Sequence, residues 1–527
     1  MSSSTELQFG RFRSFLWPIH RTEVKKFLPL LIIYALICLN YGILKAAKDG
    51  LVITAQGSGA EAIPFIKIWV ILPMALLITF LFTRLFNRFS QEKVFYIMIG
   101  GFLSFFLLFA FVLYPLRDLI HPHETADHLQ SILPQGFKGL ISIFRNWSYT
   151  LFYVMAEIWG TAIMSVLFWG FTNEIASVKE ASRFYGILSV GANIASIISG
   201  QLIMMLSAKT FDLSFLFGQD RWGQSLGLIT VIVVAAGILT MGIFRWYHVK
   251  VMNKDPKLKH IQDRQVKSKT TMKMGMRKNF SYLAKSKYLI CIAVLVVGFN
   301  IALNMVEIVW KDQIKELYPD PNDFTAYMGK VLFAIGCLST FVGLFLCSNL
   351  IRRLGWTFSA LVTPIALLAT GICFFTVIFF KDNPLLLQWT TIIGLTPLAL
   401  GVLFGTIQNV FSRACKFTLF DATKEISFIP LSSDSKIKGK AAIDGVGSRL
   451  GKSGGSIVHG GLLMFFGSVS LSTPYVGLIL LAVVIVWIGA AKSLGHQFQK
   501  LTKEGKELDT DKPEVKLPEK NPLLESI

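Results

Sequence analysis

Stretches of mostly apolar residues alternate with short polar connections twelve times along the chain. They lie at approximately 27–48, 62–84, 93–116, 147–171, 184–207, 223–247, 288–311, 325–350, 356–380, 386–412, 440–466 and 471–491. A helix needs roughly 20 such residues to cross the hydrocarbon core of a bilayer. Several windows contain Pro or Gly, which spanning helices tolerate where neighbouring helices satisfy the freed backbone groups. The pattern predicts an all-α integral membrane protein with twelve transmembrane helices.

The connections differ in charge. Odd-numbered ones, such as 49–61 and 312–324, are neutral or acidic, the second holding Asp320 and Asp323. Even-numbered ones are basic. Arg84, Arg88 and Lys93 follow span 2, Arg352 and Arg353 follow span 8, and 248–287 carries twelve Lys or Arg against Asp255 and Asp263. Lys and Arg accumulate in cytoplasmic loops, so both termini and the basic connection are expected to be cytoplasmic. The expected organisation is a cytoplasmic segment 1–26, a six-helix bundle 27–247, a basic linker 248–287, a second bundle 288–491 and a tail 492–527. The tail's polar composition predicts disorder.

An internal repeat relates the bundles. Thr172-Asn-Glu-Ile175 after span 4 matches Thr423-Lys-Glu-Ile426 after span 10, an offset of 251. Val190-Gly-Ala-Asn-Ile-Ala-Ser196 matches Val446-Gly-Ser-Arg-Leu-Gly-Lys452, an offset of 256. Spans 1 and 7 share Asn40 and Asn300, and spans 2 and 8 share Lys67 and Lys330. Two parallel six-helix halves are the layout of major-facilitator transporters, which hold substrate near the midplane between the halves. Architecture alone does not name the solute.

Composition agrees with membrane insertion. Of 527 residues, 53% are hydrophobic and only 16% charged, against about 25% charged in soluble domains. The net charge of +20 could suggest nucleic acid, but the basic residues sit between apolar windows and at the ends, so no nucleic-acid partner is expected. Cys38, Cys291, Cys337, Cys347, Cys373 and Cys415 lie in or at the ends of apolar windows. They read as small core hydrophobes, with neither disulfide nor metal expected. Residues 1–26 show no cleavable signal pattern.

Ionisable groups inside spans are costly unless paired or hydrated, so each is a functional hypothesis. Lys48 ends span 1, and Glu307 occupies the matching part of span 7. Aligned at Asn40 and Asn300, the two are expected to face each other across the cavity. Glu157 lies deep in span 4. Arg449 and Lys452 stand one turn apart in span 11, where the first half has Asn193 and Ser196. Two cations set into one cavity wall suit a polyanionic solute, because Lys and Arg are the partners of phosphate oxygens. Lys67 and Lys330 lie near the outer ends of their spans, where snorkelling to the interface is the simpler reading. For the others the rival reading is a structural intramembrane ion pair.

Two motifs carry no function. Gly451-Lys452-Ser453 resembles the end of a phosphate-binding loop, but that pattern needs Gly at 446, which is Val, and a preceding strand. His121, His123, Glu124, Asp127 and His128 read as an ordinary polar loop rather than a metal site.

Several segments resemble the nucleotide transporters, or ATP/ADP translocases, of obligate intracellular bacteria and plastids. They are Ser58-Gly-Ala-Glu-Ala-Ile-Pro-Phe-Ile-Lys67, Phe168-Trp-Gly-Phe-Thr-Asn-Glu-Ile175, Phe420-Asp-Ala-Thr-Lys-Glu-Ile426, Lys438-Gly-Lys-Ala-Ala-Ile-Asp444 and Gly451-Lys-Ser-Gly-Gly-Ser456. The resemblance runs from about residue 10 to 490. It implies nucleotide import across a bacterial inner membrane by alternating access, with ATP exchanged against ADP. It also implies functional charges at Lys48, Glu157, Glu307 and Lys452. Exchangers of that family read Leu-Arg-Asp-Thr-Lys-Asp-Thr at the end of span 1, where this chain has Leu44-Lys-Ala-Ala-Lys-Asp-Gly50. The lysine is kept, but one carboxylate and two hydroxyls are gone. Proton-coupled import of nucleoside triphosphates with broader base specificity is therefore the alternative. An enzyme acting on lipid phosphates is a remote one, since no cluster of acids or His with metal-like spacing is found. Substrate nucleotide and lipid bilayer are the expected partners of a monomer that needs no cofactor.

Overall fold

The computed structural model describes residues 19–20, 23–176, 178–208, 214, 220–252, 286–440, 442–443 and 447–504. Among them, eleven helices are long and apolar enough to cross a membrane. The first six are α1 (Val24–Ile53), α2 (Ala62–Arg88), α3 (Gln91–Leu113), α4 (Trp147–Asn173), α5 (Phe184–Leu206) and α6 (Arg221–Lys250). The second half brings α7 (Lys287–Leu317), α8 (Pro321–Leu346), α9 (Leu350–Phe379) and α10 (Pro397–Ser427). The window predicted at 440–466 becomes the shorter helix α11 (Ser448–Phe466). Arg449, Lys452, His459 and five glycines leave it less apolar than the others. The last helix is α12 (Val469–Lys503).

Capping chemistry sets boundaries that the apolar windows misplace. The predicted span 386–412 is two elements. A short helix, Pro384–Ile393, starts at Asn383, whose side chain accepts from the Leu385 amide, and stops at Gly394, which is left-handed (φ 75°). Thr396 then caps α10, accepting from the Ala399 amide, with Pro397 in the first turn. The true span is thus shifted toward the C-terminus, and Arg413 falls inside it. Likewise α1 continues through Asp49 to Ile53, and α7 through Lys311 to Leu317. The helix that follows α11 runs on to Glu504, past the start of the predicted tail. The rest of the tail, most of 1–26 and most of 248–287 lie outside the described residues.

Each half packs around its first helix. α1 lies against α4, α5 and α6, and α7 against α10, α11 and α12. Buried polar groups fix these contacts. Asn40 Nδ2 donates to the Val233 carbonyl at 3.0 Å, and Trp159 Nε1 to the Ile37 carbonyl at 3.2 Å. The repeat partner of Asn40 acts differently: Asn300 Nδ2 bonds within its own helix, to the Val296 carbonyl at 2.8 Å. Cys38, Cys291 and Cys415 are buried as expected, but Cys337 and Cys373 are exposed. In a spanning helix the outer face is also apolar, so a hydrophobic residue need not be in the core.

The halves meet most extensively where α5 crosses α8. Small residues permit the approach. A Cβ on Gly200 would lie 2.7 Å from the Gly329 carbonyl, and one on Gly336 would lie 2.8 Å from the Asn193 carbonyl. Further contacts between halves gather at the end of the bundle that carries loops 54–61 and 318–320, hereafter the far end. Ser225 Oγ donates to Asn322 Oδ1 at 2.7 Å, and Lys315 Nζ donates to the Ser58 carbonyl. Gly136 packs on the backbone of Met464. At the opposite, linker end, Lys26–Glu180, Arg245–Glu92 and Lys440–Glu425 each join residues of one half. Arg449 and Lys452 are exposed there. The space between the halves is closed at the far end and faces the linker end.

Candidate functional site

The far third of α1 presents three charges within about one turn: Lys45, Lys48 and Asp49. Lys48 and Asp49 are adjacent, so they diverge toward different helices, whereas Lys45 and Lys48, three apart, share a helix face. Lys48 Nζ lies 3.0 Å from Glu157 Oε2 on α4 and 3.4 Å from Asp49 Oδ1. Its ammonium also sits 3.5 Å from the centroid of the Tyr153 ring, a cation–π contact within the same half. Asp49 Oδ2 lies 2.8 Å from Lys311 Nζ on α7. Lys311 continues to Glu307 Oε1 at 2.9 Å, and Arg413 Nη2 on α10 donates to that same oxygen at 2.9 Å. The result is one continuous chain, Glu157–Lys48–Asp49–Lys311–Glu307–Arg413, that crosses from one half to the other.

Burial gives the chain its energetic weight. The side chains of Lys48, Asp49 and Lys311 are at most 3% exposed, whereas that of Glu157 is 31% exposed and faces the cavity. Charges in a low-dielectric interior are tolerated only when paired, and removing one partner typically costs about 3–5 kcal/mol. Three cations and three anions alternate along the chain, so it is neutral as it stands. Around it stand Lys45, Lys67 and Lys452. Lys67 Nζ donates to Asn304 Oδ1 at 2.5 Å, a bond from α2 to α7. Lys452 makes no ion pair among the described residues, but lies within electrostatic range of Glu157, Lys416, Arg413 and Glu307. The site therefore holds an excess of positive charge facing the space between the halves.

The residues expected from sequence divide as follows. Lys48, Glu157 and Glu307 join one network, and Lys452 borders it. The expected face-to-face pairing of Lys48 with Glu307 is corrected: each is held by another partner, and Asp49 and Lys311 stand between them. The repeat alignment left out the charged neighbours on their own helices, Asp49 and Lys311, which link them. Lys67 is no snorkelling residue; its ammonium bonds Asn304 at the helix interface. Arg449 is exposed one turn beyond Lys452 and lies outside the network. Lys330 is exposed on α8, and Asn193 packs against Gly336 at the α5–α8 crossing.

Sequence reasoning missed Asp49, Lys311, Arg413 and Lys45. Asp49 and Arg413 fell just past the predicted spans 27–48 and 386–412, and Lys311 was the final residue of 288–311. Their charge itself ends an apolar window. The available signal was helical spacing, since Glu307 and Lys311 are i and i+4 on one face.

Outside the spans, loop 114–146 builds a polar pocket at the far end. Arg117 Nη2 lies 3.1 Å from Asp220 Oδ2, and Tyr114 donates to the same oxygen at 2.6 Å. His121 Nε2 is 2.7 Å from Ser148 Oγ, and its ring stands edge-on to Tyr149. Burial, and then the neighbouring His123, push its pKa down to about 4.

The chain matches known proteins along nearly its whole length. The family model described as TLC ATP/ADP transporter matches residues 2–498. The "ADP,ATP carrier protein 1" of Chlamydia pneumoniae is 43% identical over 499 residues, covering 94% of this chain and 96% of the relative. The "ADP,ATP carrier protein 2, chloroplastic" of Arabidopsis thaliana is 42% identical over 485 residues, covering 92% and 76%. Among solved structures, a D-xylose–proton symporter is similar with a TM-score of 0.52 at 14% identity, covering 89% of this chain and 96% of that one. At that identity the likeness shows the major-facilitator fold and no more.

Proposed function

Because the chain belongs to the TLC ATP/ADP transporter family, we propose that it carries adenine nucleotides across a membrane in counter-exchange, ATP against ADP, by alternating access. The relatives' names support this reading, and they mark the chain as a transporter rather than an enzyme. One structural observation carries the mechanism: a neutral chain of six ionised side chains spans the two halves, with further cations facing the cavity. In an empty carrier the acids hold the cations in place. An entering polyphosphate competes with Glu157 and Glu307 for Lys48, Arg413 and Lys452, since charge-assisted bonds to phosphate are of similar strength. The released carboxylates loosen Asp49–Lys311, the link between halves, and the far end is freed to open.

On this reading the binding residues are Lys48, Glu157, Glu307, Arg413 and Lys452. Arg449 lies at the entrance, Lys67 braces α2 against α7, and Lys330 and Asn193 have peripheral roles. We take the protein as a monomer in a bacterial inner membrane, and the loop charges predict that its termini and the basic linker are cytoplasmic. The cavity then faces the cytoplasm, with the two six-helix bundles rocking about the α5–α8 contact. The test is uptake of labelled ATP into intact cells producing the protein, with and without preloaded ADP and with a proton uncoupler. Exchange requires uptake that depends on internal ADP and survives the uncoupler. Uptake that needs no internal nucleotide and collapses with the uncoupler would establish proton symport instead.

A further inference from the structure

Lys45 stands one turn before Lys48 on α1, half-buried. Among the described residues no ion pair or side-chain hydrogen bond engages its ammonium. It shares a cleft with Arg413 of the other half, walled by Gly42, Ala46, Trp310 and Met328. Arg413 uses Nη2 for Glu307, and a guanidinium has five N–H donors in a rigid fork, so further donors remain. The cleft wall is firm. Trp310 is buried, its Nε1 donates to Thr406 Oγ1 at 3.2 Å, and that hydroxyl bonds Tyr327 at 2.6 Å.

Two cations, one from each half, thus converge on a largely apolar cleft, and only one of them is paired. Like charges brought together in low dielectric repel strongly, and an anion between them removes that cost. The anion that fits best concentrates charge in one group and offers oxygens both to a fork and to a point charge. An unesterified terminal phosphate does so, with about −1.5 to −2 charges at neutral pH. A phosphate esterified on both sides carries about −1 and has fewer free oxygens.

We propose that Lys45 and Arg413 form the subsite for the terminal phosphate, and that this subsite selects nucleotides whose last phosphate is unesterified. The inference rests on the nucleotide-exchange reading above. It explains how two exchange substrates of different length share one carrier: ATP and ADP both end in a free phosphate, whereas a capped diphosphate such as ADP-ribose does not. Because the subsite has one residue in each half, its occupancy also draws the halves together at the cavity.

The experiment is competition against labelled ATP uptake by ADP and by ADP-ribose, which share the base and both phosphates. In the unmodified protein ADP should compete at least tenfold better. Lys45→Met, which keeps the side-chain length without charge, should shrink that preference to threefold or less. Lys45→Arg should retain it. Equal competition by the two compounds in the unmodified protein would overturn the proposal even if neither variant reached the membrane, and so would an unchanged preference in Lys45→Met. Absence of any ATP uptake by the unmodified protein would instead sink the exchange reading on which the subsite depends.

Discussion

At the scale of single residues, the carrier's charges fall into those that are locked and those that are available. Lys48, Asp49 and Lys311 are almost wholly enclosed and multiply bonded in the empty carrier, so Lys48 reaches substrate only once Glu157 is displaced from it. Lys452, exposed and without an ionic partner among the described residues, is available to substrate. Lys452→Ala should lower nucleotide uptake tenfold or more at matched membrane abundance, while Lys452→Arg retains an intermediate rate; undiminished uptake by the alanine variant would remove it from the site. His121 tests a different effect. Its folded pKa of about 4 lies below the ordinary His value of 6.5, so the folded state resists protonation. The stability it contributes is present above about pH 6.5 and is lost as pH falls toward 4. A thermal-unfolding series from pH 7.5 to 4.5 should show a steeper acid decline for the unmodified protein than for His121→Gln. Identical slopes would show that the loop does not sense this proton.

At the scale of elements, three helices that deliver charge to the cavity depart from regular α-geometry close to it. π-helical turns cover 66–71 around Lys67, 160–168 just after Glu157, and 416–420 just after Arg413. A π-turn inserts one residue and rotates the following face, and such turns concentrate at functional sites. The α4 and α10 segments precede the repeated Thr-x-Glu-Ile motifs, so π-helical geometry recurs at corresponding places in the two halves. Element packing is tested at the α5–α8 crossing. Gly200→Leu would drive a side chain into the backbone of Gly329 and Phe333, where even a Cβ would stand 2.6 Å from the Phe333 nitrogen. Overpacking of this kind costs about 1–3 kcal/mol, so the purified variant should unfold at a lower temperature and transport more slowly. A Tm equal to that of the unmodified protein would mean that the two helices are not in close contact.

At the scale of the whole molecule, Asp49–Lys311 is the ion pair of the network that joins the two halves. It lies toward the closed far end, beside Gly50, which packs on Thr325 and Pro321 of α8. Asp49→Asn keeps the shape but leaves Lys311 with Glu307 alone, weakening the closure. A cysteine introduced at Ser58, which is buried and accepts from Lys315 through its carbonyl, reports on that end. In a background lacking the native cysteines, Asp49→Asn should speed its labelling by an impermeant thiol reagent at least threefold. Labelling at an unchanged rate would show that the far end is held shut by other contacts.

The apolar windows, the alternating loop charges and the repeat already determine an all-helical membrane protein of two six-helix halves, because lipid demands long apolar helices whatever their partners. The same physics located Glu157 and Lys452, whose charges stand within otherwise spanning segments. It could not locate Asp49, Lys311 and Arg413. A hydropathy window ends where charge begins, whereas the helix itself ends only where its caps are, at Ile53, at Leu317 and, for α10, from Thr396 onward. Which cation meets which acid was decided by tertiary structure alone. Lys48 and Glu307 share a depth in the repeat, but a one-residue step on a helix turns a side chain by about 100°, and so sends Lys48 to Glu157 and Asp49 to Lys311.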